Sequence, residues 1–225
     1  MNRTDLACEL AQKPEGNYAT IYCDELDSPS EIAELSHILG QFIPKEVGKT
    51  LVVGLGNESI TPDSLGVRAA RKVLATAHFK GHSEFTELNL SEVYVVSPGV
   101  MAQTGLESAQ LVKSVADLVK PDCLVVIDSL ACSKRERLAK TIQVTDRGIA
   151  PGSGVKNERM EFSRKVFGMP VVAIGVPTVI DVDDDMLVPR DIDVVISHYA
   201  RVISGAVNRT LNPGLSESEI EQLLM

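Results

Sequence analysis

Short runs of β-branched residues alternate along the chain with stretches in which apolar residues recur every three or four positions. Ile32, Leu35, Ile38, Leu39 and Phe42 have helical spacing and predict a first helix over 29–43, with Ser30 placed to cap it. TLVVGLG (50–56) is a compact apolar run closed by glycine, the pattern of a buried strand. The same reading predicts helices over 64–77 and 105–119 and strands over 92–98, 123–128, 141–146 and 170–181. A glycine-rich loop, APGSGV (150–155), precedes a helix expected near 157–167. Ile192, Val195, Ile196, Tyr199, Val202, Ile203, Ala206 and Val207 share one face and predict a long amphipathic helix within 189–211. Ser216 and Glu219 fit a capping box for a final short helix, and DVDDDM (181–186) reads as an exposed turn.

Strands alternating with helices imply β-α-β units around a mainly parallel sheet covered on both faces, an α/β fold. No repeat, low-complexity tract or linker interrupts the pattern, so residues 1–225 read as a single domain. The 44% hydrophobic content suffices for one large core. A net charge of −9 removes the basic stripe that a nucleic-acid binder needs. No apolar run approaches the roughly 18 residues of a membrane span, and MNRTDLACELAQ has no apolar segment of the kind a signal peptide requires. The four cysteines form no C-x-x-C pair and no zinc-like spacing with the four histidines, so neither metal nor other cofactor is expected, and the compartment reads as cytoplasmic. Cys123, inside CLVVI, reads as a buried small hydrophobe, and His198, beside the apolar stripe, as structural.

In an open parallel sheet, sites form beyond the carboxyl ends of the strands, where loops converge. Asp128 immediately follows CLVVI, and Asp63 lies a few residues past VVGLG at the start of the next helix. Both carboxylates therefore fall on one lip of the sheet. Two adjacent carboxyls resist double ionisation, so one keeps a proton while the other draws a proton from water, chemistry suited to amide hydrolysis. The competing structural reading makes Asp63 a helix N-cap and Asp128 a turn or cap residue. Backbone N–H groups around Gly54, Gly56 and Asn57, or around Gly152, Ser153 and Gly154, stand as candidate oxyanion or substrate loops. PDSLG (62–66) misses the G-x-S-x-G nucleophile elbow because Pro62 takes the first position, and neither H-E-x-x-H nor a P-loop occurs. Cys132 precedes Lys134 and Arg135, which favour a thiolate, but has no histidine near it in sequence.

GLGNESITPDSLG, SPGVMAQTG, VIDSLACSKRERLAKTIQVTDRGIAPGSGVKN and PVVAIGVPTVID, in that order, resemble the germination protease family of spore-forming bacteria. RTDLACELA near the start and MLVPRDIDVVISHYARVISGAVNRTLNPGLS near the end are similar to the family as well. The resemblance implies an atypical aspartic endopeptidase that degrades small acid-soluble spore proteins during germination, in the spore core. It also implies an α/β sheet flanked by helices, similar to hydrogenase-maturation endopeptidases. The family's T-P-D-x-L-G and D-x-L-A motifs stand here as TPDSLG and DSLA, which carries its catalytic roles to Asp63 and Asp128. The chain starts close to RTDLA, which leaves little room for the family's N-terminal prosegment. It also departs from the family before GLGN, ahead of the C-terminal helix, and after the asparagine of GNES.

Two other readings share these residues. A metal-assisted maturation peptidase on the same fold needs a histidine on the lip, and only His78 and His82 lie mid-chain. A non-catalytic relative binds a peptide or protein without cutting it. The apolar C-terminal helix offers a surface for a homo-oligomer.

Overall fold

The computed structural model describes residues 8–13, 16–23, 30–152, 159–182 and 185–224. The strands are β1 (Cys8–Lys13), β2 (Gly16–Tyr22), β3 (Lys49–Gly54), β4 (Glu92–Val96), β5 (Cys123–Cys132), β6 (Thr141–Thr145), β7 (Val171–Val182) and β8 (Asp185–Leu187). The helices are α1 (Glu31–Phe42), α2 (Leu65–Ala70), α3 (Ser83–Glu87), α4 (Met101–Thr104), α5 (Ser108–Val119), α6 (Arg164–Phe167), α7 (Ile192–Leu211) and α8 (Glu217–Leu223). The strands form one mixed sheet in the order β1-β2-β6-β7-β5-β3-β4, with β8 paired to β7. At its centre β7, β5, β3 and β4 run parallel, while β6, β2 and β1 continue it as an antiparallel wing.

Side-chain alternation on the central strands divides the core into two layers. Val52, Val125, Ile127 and Ile174 point to one face, where α1, α2 and α7 supply Leu35, Leu39, Leu65, Ala69, Tyr199, Val202 and Ile203. Leu51, Val53, Leu124 and Val126 point to the other, where α5 supplies Ala109, Val112 and Ala116, joined by Phe162 and Phe167. Burying each large aliphatic side chain contributes about 1.5–3 kcal/mol relative to exposure. Asp128 follows Leu124 and Val126 in the same alternation, so it stands on the α5 face just beyond the apolar run.

The long helix appears as α7, with the expected stripe buried. His198 is buried on it, its Nε2 3.0 Å from Glu31 Oε2. The capping box forms at α8, where Glu219 N–H donates to Ser216 Oγ and Ser216 N–H to Glu219 Oε2. Ser30 occupies the N-cap position of α1 without a side-chain capping bond.

Three expectations are revised, and one element is new. Residues 8–13 and 16–22 form a hairpin at the sheet edge that periodicity had not suggested. The helix expected over 64–77 stops at Ala70, because buried Asn208 of α7 takes over the backbone beyond it. Asn208 accepts from Leu74 N–H (2.9 Å) and donates to Lys72 C=O (2.9 Å), and Thr76 N–H turns to Val93 C=O. In the helix expected near 157–167, residues 153–158 lie outside the described part. Phe162 pairs as an extended bridge with Ile149, and only Arg164–Phe167 is helical. In DVDDDM, expected as an exposed turn, β7 runs on to Val182 and pairs with β8 from Asp185, with 183–184 outside the described residues.

The contact that positions the site is the seating of α2 on the ends of β3 and β5. Gly54 ends β3 and Gly66 lies in the first turn of α2, and each stands where a side chain has no room. A Cβ on Gly66 would stand 2.3 Å from Ile127 O and 2.4 Å from Leu55 O; one on Gly54 would stand 2.3 Å from Gly66 O. These neighbours are backbone and cannot step aside. We therefore expect Gly66→Ala to destabilise the fold by about 3 kcal/mol or more. Gly40→Ala, on the exposed face of α1 with nothing within 4 Å, should instead stabilise it by about 0.5–1 kcal/mol. Urea denaturation of both variants beside the parent measures the contrast.

Candidate active site

Past Gly54 the chain keeps one further sheet bond, Leu55 N–H to Ile127 C=O at 2.9 Å, and then turns sharply. Gly56 takes φ +110°, and a Cβ there would fall 1.9 Å from Asp63 O, so only glycine lets the turn close on the aspartate. Ile60 N–H bonds to Asn57 C=O, and Asp63 N–H to Ile60 C=O, winding the chain into a 3₁₀ turn over Thr61–Asp63 with Pro62 in its first turn. Thr178 of β7, fully buried, donates its hydroxyl to Pro62 C=O at 2.8 Å and pins this turn to the strand beside β5. Glu58 pairs with Arg71, tying the loop back to the end of α2.

Asp63 is not the N-cap of α2; that position belongs to Ser64. Its carboxylate instead accepts from Asn57 N–H (Oδ2, 2.8 Å), a donor it shares with its own carbonyl at 3.0 Å. Asp128 sits one residue beyond the last β3–β5 pair, Gly54↔Ile127, where β5 continues beside β7 alone among its parallel neighbours. It is 6% exposed and accepts from Ser129 N–H at 2.8 Å.

The environment pushes both carboxyls upward. Burial is the larger cause for Asp128, the nearby Asp63 carboxylate adds to it, and together they carry Asp128 to about 7 against the opposing pull of Ser129 N–H and the Arg159 guanidinium. Burial also raises Asp63, less strongly, against Asn57 N–H and the same Arg159. The structure thus brings both aspartates within electrostatic reach of one another and gives them unequal affinities for a proton.

The glycine-loop residues fall elsewhere in this arrangement. Gly54 is a packing position under α2, Gly56 is a hinge against Asp63, and the Asn57 N–H is committed to the Asp63 carboxylate. Asn57 Oδ1 accepts from Ser59 N–H and from Gln103 Nε2 (2.8 Å), which links this loop to α4 in the neighbouring loop. Gly152 is half-buried with φ +74°, while Ser153 and Gly154 lie outside the described residues. Cys123 is fully buried, and burial pushes its thiol up to about 12. The thiolate tendency expected of Cys132 is reversed: burial outweighs the Lys134 N–H and Arg137, and the thiol is raised. Cys132 lines a cavity of about 260 Å³ with Ala131, Ser133, Lys134, Arg137 and Gln143, beyond Asp128 along β5. His78 stacks on Phe79 after α2, and no group of three or more His, Cys, Asp or Glu suited to a metal occurs among the described residues.

Sequence reasoning missed two residues. Thr178 had a trace, a lone hydroxyl inside PVVAIGVPTVID. Arg159 had almost none, since it stands in a charged stretch, KNERME, whose return to the core is set by Phe162.

The family model described as germination protease matches residues 3–214. The germination protease of Caldanaerobacter subterraneus subsp. tengcongensis is 35% identical over 270 residues, covering 94% of this chain and 83% of its own. That of Clostridium acetobutylicum is 31% identical over 274 residues, covering 95% and 84%. That of Oceanobacillus iheyensis is 40% identical over 204 residues, covering 85% and 54%. The first two alignments run over more positions than the 225 residues here, so those relatives carry segments this chain lacks. Among solved structures, a [NiFe] hydrogenase maturation protease, HycI from Thermococcus kodakarensis KOD1, superposes with a TM-score of 0.47 at 15% identity, over 76% of this chain and 98% of its own.

The raised carboxyl of Asp128 has a cost in stability with a definite sign. The folded chain holds this proton up to about pH 7 and the unfolded chain only to about pH 4, so stability declines as pH rises between them and the loss is complete above pH 7. Asp128→Asn lacks that loss. It should match the parent near pH 3.5 and exceed it at pH 8 by a few kcal/mol, at about 1.4 kcal/mol per pH unit of displacement. Urea midpoints of both proteins at the two pH values check this.

Proposed function

The chain belongs to the germination protease family, and on that premise we propose that it is an aspartic endopeptidase of germination, with Asp63 and Asp128 activating water and small acid-soluble spore proteins as substrate. The observation that carries the mechanism is the meeting of the two carboxyls at one end of the sheet, with Asp128 buried just past the last β3–β5 pair and the turn of Asp63 pinned beside β5 by Thr178, so that burial and the Asp63 neighbour push Asp128 upward. A carboxyl with an affinity near 7 is an acid at neutral pH, and a less displaced partner is a base.

Asp128 holds the proton and Asp63 is ionised at the start. Asp63 takes a proton from water as the water oxygen bonds to the peptide carbonyl carbon. Asp128 gives its proton to the carbonyl oxygen, so the tetrahedral species forms without a free oxyanion. Asp128, now ionised, takes a proton back from that oxygen as the carbonyl re-forms. Asp63 passes its proton to the departing nitrogen, and the C–N bond breaks. Each carboxyl ends as it began. The Asn57 N–H steadies Asp63 in the ionised form, and Thr178 with the α2 seating holds its turn over β5.

The family and the absence of any helix long and apolar enough to cross a membrane among the described residues suit a protein substrate met away from the bilayer. The spore core is the compartment where that substrate lies.

Asp63→Asn and Asp128→Asn preserve shape and remove the shared-proton chemistry. Each should lower cleavage of a purified small acid-soluble spore protein by about 10²–10⁴-fold while retaining a folded circular dichroism spectrum. Cleavage at the parent rate in both would dismiss the mechanism. Loss of cleavage by the parent on adding a chelator would favour the metal-assisted alternative.

A further inference from the structure

The loop between β4 and α5 reaches the Asp63 turn through an exposed side chain. Gln103 donates from Nε2 to Asn57 Oδ1 at 2.8 Å, and the Asn57 N–H donates to Asp63 Oδ2 at 2.8 Å. Two hydrogen bonds thus connect α4 with a candidate catalytic carboxylate. The carbonyl end of the Asn57 side chain is set independently, because Oδ1 also accepts from Ser59 N–H at 3.0 Å. The group that meets it from α4 must therefore be a donor, which a glutamine supplies and an ionised glutamate would not.

The turn that carries Gln103 is bonded on every side. Gly105 N–H donates to Met101 C=O at 2.8 Å, Ser108 Oγ donates to Gly99 C=O at 2.7 Å, and Glu107 Oε2 accepts from Met160 N–H at 3.2 Å. Gly99 takes φ +72°, and a Cβ there would stand 3.3 Å from Gln103 Oε1, so bare backbone leaves room for the carboxamide beside it. Gln103 fills no core: residues 101–106 are all exposed, and a bond between exposed side chains adds only modestly to fold stability. On the other side of the bond, Asn57 follows the Gly56 hinge at φ +110°, whose backbone freedom does not by itself hold the next N–H on Asp63.

We propose that Gln103 is a positioning residue of this site: through Asn57 it keeps a backbone N–H on the Asp63 carboxylate, and so keeps that carboxylate aimed and ready to take a proton from water. The inference rests on the two-aspartate reading and deepens it. Burial favours the neutral form of Asp63, and the Asn57 N–H opposes it. The charges that also act there are Asp128 and Arg159, while Glu58 on the same loop is paired with Arg71. Gln103 carries no charge, so its effect reaches Asp63 by way of Asn57. When the bond is lost, Asn57 turns on its hinge, Asp63 is held less well in its ionised form, and the chemical step slows. Gln103 binds no part of the substrate in this scheme, so KM holds.

The test is steady-state cleavage of a purified small acid-soluble spore protein by the parent, Gln103→Ala, Gln103→Glu, Asn57→Ala and the double variant Gln103→Ala/Asn57→Ala, with Asp63→Asn and Asp128→Asn in the same assay. Gln103→Ala should lower kcat by about tenfold, the loss expected of one hydrogen bond felt in the chemical step, and leave KM within about twofold of the parent. Gln103→Glu keeps the size without the donor and should fall at least as far. The double variant should be no slower than Asn57→Ala, because both changes remove the same link. A raised KM at the parent's kcat would make Gln103 a substrate contact, and additive losses in the double variant would show an effect that bypasses Asn57. Either result overturns the proposal, as does an unchanged kcat. Should Asn57→Ala not fold, the two Gln103 variants carry the test through kcat against KM. If the two aspartate variants cut at the parent rate, the two-aspartate reading itself has failed and the proposal falls with it. If they are inactive while Gln103→Ala keeps the parent's kcat, only the role of Gln103 has failed.

Discussion

Everything at the carboxyl end of the sheet depends on how closely α2 approaches β3 and β5. The Gly54–Gly66 contact brings helix backbone against strand backbone, with Gly66 facing Ile127 O and Leu55 O. A wider separation would lift the 3₁₀ turn away from β5. Thr178 could then no longer reach Pro62, and Asp63 would leave the space above Asp128. A packing constraint between two glycines thus fixes the spacing of two charges that are 65 residues apart in sequence.

That spacing opposes stability. Two carboxyls are taken out of water at the edge of a core that leaves Val126 and Ile127 fully buried, and the fold offers them two backbone N–H groups and one guanidinium in return. Glu92, as little exposed as Asp128, is treated differently: Lys80, Lys49 and the Tyr94 hydroxyl meet it, and against the effect of burial its carboxyl is pulled down. The contrast between Glu92 and Asp128 within one sheet separates an acid held for structure from one left available for protons.

Much of this was legible before any coordinates. The central strands announce themselves as apolar runs, and a residue directly after such a run must emerge at the strand's end, which is how Asp128 stands out. Asp63 was readable as a carboxylate shortly after β3, although its turn was not, because a T-P-D stretch reads equally well as a helix start. The failures share a cause: tertiary contacts that no local pattern encodes. The apolar spacing of 64–77 is helical, yet Asn208, more than a hundred residues later, claims the backbone of Lys72 and Leu74. The β1–β2 hairpin gains its place from pairing with β6, whose register joins Tyr18 to Thr145.

The unequal environments of the two aspartates follow from the elements that carry them. Asp128 belongs to a strand, so its position is fixed by the ladder with β7 at Gly175, and its side chain must share the α5 face with Leu124 and Val126. Deep placement there favours the neutral form. Asp63 belongs to a turn outside the sheet, is only half-buried, and meets the Asn57 N–H, whose dipole favours the anion. Strand and turn therefore impose opposite preferences on chemically identical groups. No further group is needed to make their affinities for a proton unequal, because the topology has already made the two environments unequal.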